Sequence, residues 1–242
     1  MTLIAVVAGK GAPGATTTAA ALAAVAASEH RRTLLLELDP AGGSLALDTQ
    51  LGLDPGLMTL LAAARHGLDR SLIDAHAQEL PNGVRVLLAP TPPSRAAAAV
   101  SALSAALPAV LAQRDGLAIA DCGRWNGDGC IDPVLSAADQ ILVVLRPTAA
   151  ETEHVRTRLG DLMARNLTVS VVCVGEEPYR PAEVAAALEV TLAPSLPVDT
   201  RAAPFVRSGA QVDRWRSRAP LLRSARVLLD GLSAGTSAEA MA

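Results

Sequence analysis

An apolar run at residues 3–8 leads directly into Gly9-Lys10-Gly11-Ala12-Pro13-Gly14-Ala15-Thr16, and an alanine-rich segment then extends to Ser28. Glycines so spaced let the backbone approach a phosphate, and a helix starting behind them aims its positive end at the same anion. The full pattern G-x-x-x-x-G-K-[ST] ends on a lysine for the outer phosphates and a hydroxyl for Mg²⁺. Gly9, Gly14 and Thr16 occupy their places, but Ala15 stands where the lysine belongs. Lys10 is nonetheless the chain's only lysine, because every other one of its 21 basic residues is an arginine. Lys10 reads either as a phosphate ligand or as a solvated loop residue.

The rest of the chain alternates short apolar runs with helical stretches. Strands are expected at residues 3–8, 33–38, 84–89, 116–120, 140–145 and 168–174, with a last extended piece at 192–196. Helices are expected at 15–28, at two sites between 54 and 80, from 94 to about 113, and at 151–165, 181–189 and 214–232. Asp54-Pro55, Asp69 and Ser94 read as helix starts, and Pro108 as a kink or break. The alternation predicts an α/β fold, a mainly parallel sheet with helices on both faces in a three-layer phosphate-loop sandwich. One domain over residues 1–232 is expected, with a small polar tail at 233–242 disordered.

Two carboxylates fall at strand ends, where open α/β sheets bind ligands. Asp39 reads as a residue for Mg²⁺ or its attacking water, or as a cap of the next turn. Asp121, after the strand at 116–120, reads as an orienter of Mg²⁺. The following segment, 122–133, reads as a mobile loop, in which Trp125 either marks a contact surface or, the better reading, packs down.

Composition limits the partners. Aromatic residues make up 2% of the chain, too few for base-stacking platforms. Three cysteines, Cys122, Cys130 and Cys173, form no C-x-x-C pair and fit a reducing cytoplasm better than a disulfide framework or a zinc site. No stretch of about 20 apolar residues predicts a membrane span. The net charge of -3 conceals an asymmetry: from residue 200 onward seven arginines face three acids, leaving a balance of -7 on the remainder. Arg201, Arg207, Arg214, Arg216, Arg218 and Arg223 read either as a face for DNA phosphates or as a solvated helix face.

Together these motifs resemble the ParA/MinD group of deviant Walker ATPases, relatives of nitrogenase iron protein, whose loop reads K-G-G-x-G-K-[ST]. The chain matches at Lys10, Gly11, Gly14 and Thr16. Residues 34–42 resemble the family's strand and switch I, with Glu37 for the first aspartate and Asp39 at the second. Residues 118–122 resemble the Walker B strand with Asp121, 145–152 the segment after the next strand, Leu196-Pro197-Val198-Asp199 the late I-P-x-D motif, and 201–209 a helix ending in glycine.

The resemblance implies ATP and Mg²⁺ as cofactors, with Gly9, Lys10, Gly11, Ala12, Pro13, Gly14, Ala15, Thr16 and Thr17 around the nucleotide. It implies Thr16, Asp39 and Asp121 at the metal, Lys10 reaching a second subunit, and Lys10 and Asp39 as the catalytic pair. It further implies a homodimer, a protein partner that stimulates or localises it, and a positioning or partitioning role on DNA or another landmark. Ala15 in place of lysine predicts weak ATP binding and slow hydrolysis, and Cys173-Val174-Gly175 lacks the asparagine that commonly reads the base. The alternative is a scaffold resembling the CpaE/TadZ group, which localises pilus or secretion assemblies without hydrolysis. A ligase similar to dethiobiotin synthetase is a third reading, for which no substrate pocket signature is present. No basic amphipathic tail follows Leu232, which counts against MinD-like membrane cycling.

Overall fold

The computed structural model describes residues 1–239 except 11, 12, 126 and 128. In chain order its elements are β1 (Thr2–Ala8), α1 (Ala15–Ser28), β2 (Thr33–Glu37), α2 (Leu45–Thr49), α3 (Leu57–Ala63), α4 (Arg70–His76), β3 (Gln78–Glu79) and β4 (Arg85–Leu87). There follow α5 (Pro93–Leu103), α6 (Leu107–Ala112), β5 (Leu117–Arg124), α7 (Asp132–Ala137), β6 (Gln140–Leu145) and α8 (Ala149–Ala164). The chain closes with β7 (Val169–Cys173), α9 (Pro181–Leu188), β8 (Thr191–Leu192), α10 (Ala202–Arg207) and α11 (Pro220–Glu239).

The described strands form one sheet in the order β3-β4-β2-β5-β1-β6-β7-β8. Every pairing is parallel except that of β3 with β4. A parallel sheet requires cover on both faces, and the central strands accordingly read as unbroken apolar runs. Alternate residues of β1 separate into two cores: Leu3, Ala5 and Val7 join Leu36, Ala120 and Val143 on one face, while Ile4 and Val6 join Leu35, Ile119 and Leu142 on the other. The strand period of two therefore assigns each apolar residue to one face.

Helix α1 lies in the second core, packed against α10 and α11. Ala19 through Ala26 are all buried there. Alanine carries no bulk to hold the helix away from its neighbours, so a helix enclosed on several sides can lie close to them. With few aromatic rings, the core depends on many Leu, Val and Ile side chains, each worth about 1.5–3 kcal/mol when fully buried.

Several sequence expectations shift when the fold is seen. β5 continues to Arg124, so Asp121 lies inside the strand and Cys122 to Arg124 are not loop; Trp125 is packed down at 4% exposure. Helix α3 starts from Gly56 rather than at Asp54-Pro55, with the Gly56 N–H donating to the Thr59 hydroxyl. Asp69 does cap α4, accepting from the Leu72 N–H at 2.9 Å, but that helix ends at His76 because Gln78 and Glu79 leave to pair with β4.

Pro92, not Ser94, precedes α5, and the break lies at Ser104–Ala106. Pro108 follows as an early residue of α6, where its missing N–H has no helical partner to lose. Helix α11 extends beyond Ser233, where the composition predicts the end of order, while residues 240–242 lie outside the described residues. Among the described residues no helix is long and apolar enough to cross a membrane.

Candidate functional site

The carboxyl ends of β1, β2 and β5 bring together the glycine loop, Asp39 and Asp121. Gly14 adopts a left-handed conformation (φ 109°) at the N-cap of α1, and its carbonyl accepts the Thr18 N–H at 2.8 Å. This turn lets the chain leave β1 and enter the helix with Ala15, Thr16 and Thr17 in its first turn. The expected residues Gly11 and Ala12 lie outside the described residues; Pro13 is buried and Lys10 exposed.

Parallel register sets Glu37 beside Asp121, and both are 1% exposed. Glu37 is fully engaged with backbone: Oε1 accepts from Ser44 (2.6 Å) and Leu45 (2.9 Å), and Oε2 accepts from Ala89 (2.9 Å). Burial raises its pKa above the ordinary glutamate range, although the three N–H donors pull it down. Glu37 therefore ties the loop after β2 to the end of β4. An aspartate, one methylene shorter, would not span the same donors.

Asp121 is different. Its Oδ1 accepts the Gly123 N–H at 3.2 Å, while its Oδ2 is buried without a partner. Burial first, then the negative charges of Glu37 and Asp39, push its pKa up to about 7 against the lowering pull of the Thr16 hydroxyl and Gly123 N–H. An orphaned buried carboxylate oxygen is costly, and such groups call for a ligand or an ion.

Asp39 accepts the Ala41 N–H at 2.8 Å and the Arg124 N–H, and burial raises its pKa against the pull of these bonds and of the Arg124 charge. It lies against Gly123, whose φ is +58°; a Cβ there would stand 2.0 Å from the Asp39 carboxyl carbon. Among the described residues no three His, Cys, Asp or Glu side chains are grouped to enclose a metal ion.

Helix α8 grips the start of the loop, a feature the sequence reading missed. Lys10 Nζ lies 2.7 Å from His154 Nε2, and the Arg158 guanidinium donates to the Gly9 carbonyl. Gly9 has to be glycine here, since a Cβ would come within 2.6 Å of Val155 Cγ2. The available signal was the i, i+4 spacing of His154 and Arg158, which places both on one helix face.

A cavity of about 200 Å³ opens beside Gly14 and Thr17, bounded by Arg146, Val174 and Val198. Asp199 builds its wall: Oδ1 accepts the Arg201 and Ala202 N–H groups at the start of α10, and Oδ2 accepts from Leu221 at 3.4 Å.

The late arginines do not behave alike. Arg207 is bound within the fold, its Nε donating to Asp48 at 2.8 Å and another nitrogen to Ser44. Arg216 pairs with Asp213 and lies over the Phe205 ring, and Arg218 lies over Trp215, which is 76% exposed. Arg201, Arg214 and Arg223 are exposed. Trp215 and Val227 thus face solvent, while Leu222 and Leu229 supply the buried side of α11.

The architecture is that of known proteins. A ParA family ATPase from Chlorobium tepidum TLS superposes with a TM-score of 0.76 at 18% identity, over 96% of this chain and 97% of that one. The cell division ATPase MinD of Pyrococcus furiosus gives 0.77 at 17% identity, over 96% and 98%. The septum site-determining protein MinD of Pyrococcus horikoshii OT3, complexed with Mg-ADP, gives 0.68 at 16% identity, over 96% and 95%. No protein-family model and no curated protein sequence matches the chain. The chain has the fold of the ParA/MinD ATPases.

Proposed function

We propose that this protein is a nucleotide-controlled, dimeric positioning protein of the ParA/MinD kind, with weakened nucleotide binding. The observation that carries the reading is the meeting of the Gly14 turn, the Thr16 hydroxyl and the orphaned Asp121 Oδ2 at one sheet edge. The orphaned oxygen beside a hydroxyl suits Mg²⁺, which keeps several water and phosphate ligands and needs few from protein. The fit to triphosphate is poorer, because Ala15 supplies no cation and Lys10 is turned onto His154.

When bound, ATP with Mg²⁺ would supply the phosphoanhydride chemistry. Of the chain's own residues, Gly9, Pro13 and Gly14 shape the cradle, Ala15 and Thr17 bring first-turn N–H groups to it, and Thr16 and Asp121 hold the ion. Asp39, fixed by the Ala41 and Arg124 N–H groups, orients water. Lys10 leaves His154 to reach a second subunit. Exposed Arg201, Arg214, Arg216, Arg218 and Arg223 offer DNA phosphates a face without sequence readout.

A second reading, a non-hydrolysing scaffold similar to the CpaE/TadZ group, is favoured by Ala15 alone. Mass in solution with and without Mg-ATP, together with equilibrium ATP binding, separates the two. A nucleotide-dependent dimer lost in Lys10→Ala supports the switch. A dimer indifferent to nucleotide, with no ATP bound by either protein, leaves the scaffold.

A further inference from the structure

A second polar cavity lies at the opposite edge of the sheet, where β2, β4 and β5 begin. Its volume is about 330 Å³, and Thr33, Leu34 and Gly83 contribute to its walls. Four arginines line it, Arg32, Arg70, Arg85 and Arg114. Three carboxylates, Asp74, Glu79 and Asp115, share the lining, so positive charge is in excess.

Pairing within the cavity places that excess on a trio in which one carboxylate serves two guanidinium groups. Asp74 is used twice, by Arg85 at 3.0 Å and by Arg114 at 2.6 Å. Arg85 also donates to the Asp74 and Ala77 carbonyls, and Arg114 to the Arg70 carbonyl. Arg114 is 13% exposed at its side chain, and its Nε is buried with no hydrogen-bond partner. A buried guanidinium N–H without an acceptor costs free energy, and the Arg114 charge it belongs to shares the Asp74 carboxylate with Arg85. Arg32 and Arg70 stand exposed at the cavity.

We propose that this cavity is a binding site for a small phosphorylated ligand, held by the exposed forks of Arg32 and Arg70 beside the charge of Arg114. Planar guanidinium groups match the oxygens of a phosphate, whereas an uncharged ligand would leave the excess charge unanswered. A volume near the lower end of the roughly 300–1,000 Å³ typical of ligand pockets suits a diphosphate or small phosphate ester rather than a dinucleotide. Glu79 and Asp115 can accept from hydroxyl groups of an ester and offer a bare diphosphate no such contact, so the ester should bind the tighter of the two. The site stands independently of the nucleotide reading, being on the other edge of the sheet.

The test is titration calorimetry of the full chain, without magnesium, using inorganic pyrophosphate and glycerol 3-phosphate. At least one should bind saturably with Kd below about 1 mM, a modest affinity for a small ligand. Both probes could enter the glycine loop, so two double variants are compared. Lys10→Ala/Thr16→Ala should leave binding within about twofold, and Arg32→Ala/Arg70→Ala should weaken it roughly tenfold or more, as expected for lost charged contacts. Both arginines of the second variant are exposed, so folding is retained, which circular dichroism checks. Absence of saturable binding by either probe, equal binding by Arg32→Ala/Arg70→Ala, or loss in Lys10→Ala/Thr16→Ala would each overturn the proposal.

Discussion

Glu37 and Asp121 face each other across the parallel register of β2 and β5, both buried, one with every oxygen satisfied and the other with an oxygen that has no partner. The difference divides their roles. Glu37 holds backbone in place, and Asp121 is left with bonding capacity for something else.

That capacity makes stability fall with rising pH. Unfolded, Asp121 titrates near 3.8; folded, at about 7. The folded chain therefore keeps a proton that the unfolded chain has lost, and the stability this brings is complete below about pH 4 and gone once pH exceeds about 7. Glu37 and Asp39, also raised by burial, act with the same sign. Asp121→Asn should flatten the profile and be the more stable protein above pH 7, by on the order of 2–4 kcal/mol. Urea unfolding across this range reads it; a stability that rises toward pH 8 in the parent protein would sink the account.

Glu37→Ala should destabilise by about 3 kcal/mol or more, since it strands the Ser44, Leu45 and Ala89 N–H groups. Glu37→Asp should lose much of the same, because the shortened side chain cannot reach both the loop after β2 and the end of β4. Hydrogen exchange at Ser44 and Leu45 should quicken in both variants. Exchange unchanged from the parent would mean that other acceptors hold this loop.

Much of the fold was legible in sequence because apolar period and breakers act locally. α1 begins at Ala15 and ends at Ser28, and β6 spans Gln140 to Leu145, as the pattern alone predicts. What escaped depends on distant partners. β5 runs on to Arg124 because β1 lies beside it, accepting the Trp125 N–H at the Ala8 carbonyl. β3 is strand only because β4 pairs with it. At the candidate site, Asp39 and Thr16 stand out in sequence by their places beside element ends and Asp121 by the apolar run before it, although β5 runs past it to Arg124; the hold of His154 and Arg158 on the loop crosses more than 140 residues of chain, and their i, i+4 spacing tells only that they share a helix face, not what that face touches.

The arginines after residue 200 differ in how far they are tied into the fold, and their substitutions should differ likewise. Arg207 joins α10 to α2 through Asp48 and Ser44, half-buried, so Arg207→Ala should lower stability by roughly 1 kcal/mol. Arg214→Ala/Arg218→Ala/Arg223→Ala should leave the melting temperature within a degree or so while weakening DNA binding and flattening its dependence on salt. Fluorescence anisotropy with a random duplex at two salt concentrations measures both. Salt-independent binding, or an effect confined to Arg207→Ala, would refute an electrostatic face.

Ala15→Lys puts the most direct question to the glycine loop. Ala15 is buried at the first position of α1, behind the Gly14 turn and next to Thr16, whose hydroxyl stands beside Asp121. A lysine here would bring a cation to the phosphates and to the uncompensated Asp121 carboxylate, where a charged hydrogen bond is worth about 1.5–3 kcal/mol. Mg-ATP affinity should therefore rise by roughly tenfold to a hundredfold. The new ammonium should also hold Asp121 ionised, shrinking the loss of stability toward pH 7. The two readouts separate the causes of failure: a flattened pH profile without tighter ATP binding means that the lysine reached Asp121 but that the loop is not shaped to hold a triphosphate.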